Sequence, residues 1–146
     1  MSTKRAQFIQ AHENLKGYLK MFMSSDQRHA MLDMIKGEEG EYFVEVVNSL
    51  TKRIQEMPVT YATDGQGGDA IVYLHYFRGS INAWVTERDV GVKFEDGTRD
   101  DTQTQAFGRV DMGHGSELGY IAINQLIEYG IELDLYWTPK KLRECK

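Results

Sequence analysis

Cysteine and proline are nearly absent. One cysteine, Cys145, and two prolines, Pro58 and Pro139, occur in 146 residues. A lone cysteine excludes an internal disulfide and a structural zinc cluster, so a reducing, cytoplasmic setting is expected. Long apolar runs are missing too: nothing nears the ~18 residues of a membrane span. The opening "MSTKRAQFIQAHENLK" has basic residues with no apolar stretch behind them, so no secretory signal is expected. Catalytic signatures are also lacking. The four histidines, His12, His29, His75 and His114, show no HxxH or HExxH spacing. No Gly-x-Ser-x-Gly turn occurs. The glycine turn "DGQGGD" has bare amides but neither the Lys nor the Ser/Thr of a phosphate loop, and Asp64 and Asp69 at its ends repel phosphate. It reads as a connection.

What is present is the material of one ordinary globular unit, 41% hydrophobic and 27% charged. The net charge of −5 is unevenly spread. Residues 1–57 hold 8 basic and 8 acidic side chains, residues 58–137 hold 5 and 13, and residues 138–146 hold 4 and 1. A middle of net −8 gains no counterion release on a phosphate backbone, which argues against direct sequence-specific DNA binding and suits a basic protein surface.

Periodicity divides the chain at Pro58. Before it, Phe8, His12, Leu15, Leu19 and Phe22 form one helical stripe, interrupted at Gly17. Ser24 and Gln27 have capping-box spacing for a second helix, which Gly37 is expected to end in a left-handed cap. Phe43, Val46, Val47, Leu50, Ile54 and Met57 mark a third, closed by Pro58. After it, "VTYAT", "AIVYLHYF", "INAWVTE", "AFGRVDM", "ELGYIAI" and "IELDLYW" read as strands. "QLIEY" reads as a short helix capped by Asn124 and ended by Gly130. The polar segment 87–105 is expected to be largely mobile, with "VKF" as an edge strand. The fold class predicted is α+β: three N-terminal helices over 1–57, packed on a mostly antiparallel sheet with one short helix over 58–146, in one unit.

Two constellations carry candidate chemistry. Asp111, His114 and Glu117 lie close in sequence and could ligate a divalent ion or orient a general base. A histidine between two glycines is more often a solvated turn residue, so no metal and no cofactor are expected. The acids Glu87, Asp89, Glu95, Asp96, Asp100 and Asp101, with Glu117, Glu132 and Asp134, suit attraction of a basic partner. Glu132 and Asp134 alternate with apolar residues and should share one outward face, with Glu117 joining if its strand is adjacent. Among the aromatics of the sheet part, Trp84 and Tyr136 are candidate contact anchors.

In order, "YATDGQGGDAIVYLHYF", "AWVTE", "AFGRV", "ELGYIAINQL" and "IELDLYWTPKKL" resemble a small family of plasmid and phage proteins catalogued as a domain of unknown function. The resemblance covers roughly residues 58–142 and leaves the N-terminal helices unmatched. It implies a mobile-element setting, similar in context to antirestriction and other counter-defence proteins. It carries over no catalytic residue, and segment 88–104 departs from the shorter family connection. The expectation is a non-enzymatic inhibitor of a host defence complex, such as an RNA-guided interference complex or a restriction enzyme, that binds its basic nucleic-acid-binding surface. The alternative is a small metal-dependent enzyme or ligand binder using Asp111, His114 and Glu117. A self-assembling module, dimeric through the N-terminal helices, is the third reading.

Overall fold

The Thr3 hydroxyl accepts a hydrogen bond from the Ala6 amide at 3.0 Å, and that cap starts α1 (Lys4–Lys16) in the computed structural model, which describes residues 3–145. Gly17 ends α1, and the apolar stripe continues through a tighter 3-10 turn, Tyr18–Met21, that buries Leu19. Ser24 caps α2 (Ser25–Ile35) by accepting from the Gln27 amide at 3.2 Å. Only half of the capping box forms, because the Gln27 side chain is drawn elsewhere, to Leu133. The expected left-handed cap at Gly37 is not used. That glycine lacks a positive φ, and α2 stops at Ile35 because α3 (Gly40–Glu56) begins against it. A side chain at Gly40 would collide with the Ile35 carbonyl oxygen, so glycine is required where the two helices meet. α3 buries Phe43, Val44, Val47, Leu50 and Ile54 along one face.

Past Pro58 the chain does not form the strand expected from "VTYAT". Val59 makes a single parallel bridge to Arg88, and residues 60–65 are turns. Tyr61 stands at φ 77°, the one non-glycine residue with positive φ among the described residues. The strands are β1 (Ile71–Val72), β2 (Leu74–Arg78), β3 (Ile81–Glu87), β4 (Val92–Lys93), β5 (Arg99–Asp100), β6 (Ala106–Asp111), β7 (Ser116–Ile121), β8 (Glu132–Leu133) and β9 (Lys140–Lys141). Five of them form one antiparallel sheet in the order β7-β6-β3-β2-β8. β1 pairs with β9, and β4 with β5, as separate two-stranded ribbons.

α4 (Ile123–Glu128) starts two residues earlier than expected, from Ala122. Asn124 is therefore not its cap but lies within it, its amide donating to the Gln103 carbonyl at 3.1 Å. Gly130 ends it at φ 74°, as its position implied. "IELDLYW" pairs only over Glu132–Leu133, because the chain turns at Asp134, whose carboxylate accepts from the Tyr136 amide at 3.0 Å.

This is an α+β fold. The inner sheet face, with Leu74, Tyr76, Ala83, Val85, Ala106 and Leu133, shares one core with Leu15, Leu19, Met31, Val47, Leu50 and Ile54 of the helical part. Tyr76 crosses that core and donates its hydroxyl to the Phe22 carbonyl at 2.5 Å, and burial pushes its ionisation far up. On the outer face, Val72, Trp84, Leu142 and Cys145 form a smaller cluster beneath Trp137. Among the described residues no helix is long and apolar enough to cross a membrane.

Candidate protein-binding surface

The segment between β3 and β6 was expected to be largely mobile. It folds as a hairpin whose base is clamped by two side chains. Asp89 accepts from the amides of Gly91 at 2.9 Å and Gln105 at 3.0 Å. The buried Gln103 accepts from the Asp89 amide at 2.8 Å and donates back to the Asp89 carbonyl at 3.0 Å. Above this base β4 and β5 pair, Val92 opposite Asp100 and Lys93 opposite Arg99. The turn closes with Phe94 and Thr98 hydrogen-bonded at 2.8 Å and Gly97 at φ 90°.

Register sorts the hairpin into two chemically different faces, since opposed residues point the same way. Lys93 and Arg99 share one face, and Arg99 lines a groove of about 560 Å³ with Tyr18, Gln55, Arg88 and Gln103. Val92 and Asp100 share the other, and Val90 and Phe94 flank the strand just before and after it. Val90, Val92 and Phe94 are 55%, 56% and 50% exposed, so three apolar side chains stand in solvent on a strip only five residues long. The carboxylates around them are fixed in place. Asp96 accepts from the Thr98 hydroxyl at 2.6 Å and amide at 2.9 Å, and Asp100 from the Thr102 hydroxyl at 2.6 Å and amide at 3.0 Å. These bonds, the threonine hydroxyls foremost, hold both carboxyls below the usual aspartate range.

The remaining acids are dispersed. Glu87 is buried and accepts from the Tyr61 amide at 2.8 Å, the Thr63 amide at 2.6 Å and the Thr63 hydroxyl. It anchors the turn after Pro58 and offers nothing to a partner. Asp89 is half-buried and spent on the hairpin base. Asp101 is exposed and bonds Arg99 Nε at 3.1 Å, while Glu95 is exposed in the turn. Glu132 does share the outer face with Asp134, but Glu117 does not. Pairing runs Glu117–Val110–Ala83–Tyr76–Leu133 across the sheet, which puts Glu117 on the side opposite Glu132, at the far edge. Asp134 is tied to His75 Nδ1 at 3.1 Å, and Asn82 Oδ1 meets His75 Nε2 at 2.8 Å. The expectation of three carboxylates on one face is therefore corrected.

Trp84 is no anchor either. It is buried between His75, at 5.8 Å between ring centres, and the Arg109 guanidinium, 4.6 Å from its centre. Tyr136 is exposed. Asp111 and Glu117 sit on opposite faces of adjacent strands, Asp111 accepts from the Gly113 amide at 2.8 Å, and His114 is exposed in the turn. Among the described residues no group of three His, Cys, Asp or Glu side chains is placed to hold a metal ion. The residues that sequence reasoning passed over, Val90, Val92 and Phe94, had a signal: period-two apolar spacing inside a polar segment.

No family model, no curated protein and no solved structure matches this chain.

Proposed function

We propose that this chain is a non-enzymatic inhibitor, carried by a phage or plasmid and acting in the host cytoplasm, that seats its β4–β5 hairpin on a basic, nucleic-acid-binding surface of a host defence complex. The observation that carries the reading is the hairpin on which exposed Val90, Val92 and Phe94 stand beside fixed carboxylates. Acids around such a strip speed encounter with a cationic groove, and the desolvated side chains prolong the complex. Phenylalanine is enriched in interface cores, and Phe94 is placed to be the anchor. A groove that binds nucleic acid is a target of this chemistry, since the carboxylates take the place of phosphates.

The test is displacement. Purified restriction enzymes and RNA-guided interference complexes, loaded with labelled nucleic acid, are titrated with the chain. The expected result is competitive release by the wild type, lost in a Phe94→Ala, Glu95→Lys double variant. Neither substitution removes a hydrogen bond that shapes the hairpin. A chain that releases nucleic acid from none of these complexes, or a double variant as active as the wild type, overturns the reading.

A further inference from the structure

The two edges of the five-stranded sheet are finished differently. β8 is two residues long, and the Gln27 side chain closes its outer side as a neighbouring strand would. Gln27 Nε2 donates to the Leu133 carbonyl at 2.7 Å, and its Oε1 accepts from the Leu133 amide at 3.0 Å. At the other edge β7 runs six residues, and among the described residues its backbone bonds only to β6. Proteins blunt such edges with lysine, proline, a bulge or a covering loop. β7 has neither lysine nor proline, carries a single charge, Glu117, near its start, pairs with β6 without a register shift, and presents Leu118 and Tyr120, each 55% exposed, on the outer face. Tyr61, in its strained conformation, extends this apolar strip: its hydroxyl lies 2.5 Å from that of Tyr120.

We propose that β7 is the interface of a homodimer, pairing antiparallel with β7 of a second copy to make one ten-stranded sheet. The capped edge selects this occupant and limits the assembly. With β8 closed by Gln27, the five-stranded sheet offers β7 as its one long edge, and a β7-to-β7 contact is two-fold, ends at two subunits and cannot propagate through this sheet into a fibre. The side chains set the register. An axis through Gly119 places Leu118 opposite Tyr120 of the second copy, twice, as apolar cross-strand pairs on the outer face. It also offsets the two Glu117 carboxylates by four residues, roughly 13 Å along the strand. An axis at Glu117 would instead oppose like charges. Gly119 is otherwise unaccounted for: its φ is not in the positive range and a side chain there would meet nothing within 4 Å. Glycine within a strand marks a bulge, a bend or a close approach of ligand or backbone, and β7 pairs with β6 without a bulge.

The interface is separate from the hairpin, so its test is independent of inhibition. Sedimentation velocity of the full chain over roughly 1–500 µM should show the mass moving from 16.8 kDa towards twice that value. A Leu118→Lys, Tyr120→Lys variant should stay monomeric throughout and keep its fold by circular dichroism, both side chains being exposed, with a melting temperature that no longer rises with concentration. In a Gly119→Cys variant, opposed Cα atoms about 4.5–5.5 Å apart lie within disulfide reach, and mild oxidation should link the dimer covalently. Wild type, whose Cys145 is buried, serves as the unlinked control. A chain monomeric throughout that range overturns the proposal. So does a dimer that survives the double lysine variant, which would place the contact elsewhere, as on the N-terminal helices. A dimer that Gly119→Cys fails to link also overturns it.

Discussion

At the scale of single residues, the acids divide by what they accept. Glu87 takes three hydrogen bonds in a buried site, so its oxygens are committed to the turn that holds Tyr61 at positive φ. Glu87→Gln keeps the size but turns an NH2 group toward donors at Thr63. The expected cost is about 1–3 kcal/mol, the range for an unsatisfied buried polar group, measured by urea unfolding. A loss below a few tenths would mean that the turn relaxes freely. Trp84 makes a similar separation. Trp84→Ala should cost about 3–5 kcal/mol of stability as a large-to-small core change, whereas Tyr136→Ala, at an exposed ring, should stay within about 0.5 kcal/mol. The same logic cautions against reversing charge at Asp96 and Asp100. Those carboxylates shape the turns through Thr98 and Thr102, so lysine there would alter the hairpin as well as its charge. Glu95, free of such bonds, is the cleaner position.

At the scale of elements, the helices were legible because their signals are local. Ser24 caps, Gly17 and Gly130 stop, and the 3.6-residue stripe of α3 names the face it buries. The antiparallel sheet class was legible from alternation. Strand order and sidedness were not, because they depend on pairing partners far away in sequence: Glu117 and Glu132 look equivalent until register puts them on opposite faces. "VTYAT" failed for a related reason, since Glu87, 24 residues on, captures the Thr63 amide and bends the segment into turns. Gln27 is the most instructive case. Its spacing from Ser24 predicted a reciprocal cap, yet its amide reaches 106 residues ahead to close β8. Gln27→Ala should leave α2 capped by Ser24 and release the edge of β8. The expected loss is about 1–3 kcal/mol, with faster hydrogen exchange at the Leu133 amide. Unchanged exchange at Leu133 would show that water replaces the side chain without cost.

At the scale of the whole molecule, charge is arranged rather than summed. The cationic tail does not neutralise the hairpin, because it is folded onto the outer sheet face: Arg143 and Lys141 pair with Asp69, and Lys140 lies 4.9 Å from the centre of the Trp137 ring. The acids of residues 95–101 thus keep their field for an incoming partner. Screening sharpens the expectation. The Debye length falls from about 10 Å at 0.1 M salt to about 3 Å at 1 M, so wild-type association with a basic partner should slow across that range. Glu95→Lys should be slower than wild type at low salt and converge with it at high salt. Acidity adds a second axis. Asp96 and Asp100 ionise at lower pH in the folded hairpin than in the unfolded chain, so the order they lend is complete above the unfolded aspartate value of about 3.9 and is lost as pH falls through their lower folded values. The Thr98 and Thr102 amide resonances should therefore hold their positions from neutral pH down to about pH 4 and shift only below it. Movement of those resonances between about pH 5 and pH 7 would mean that the turns are not held by the two carboxylates.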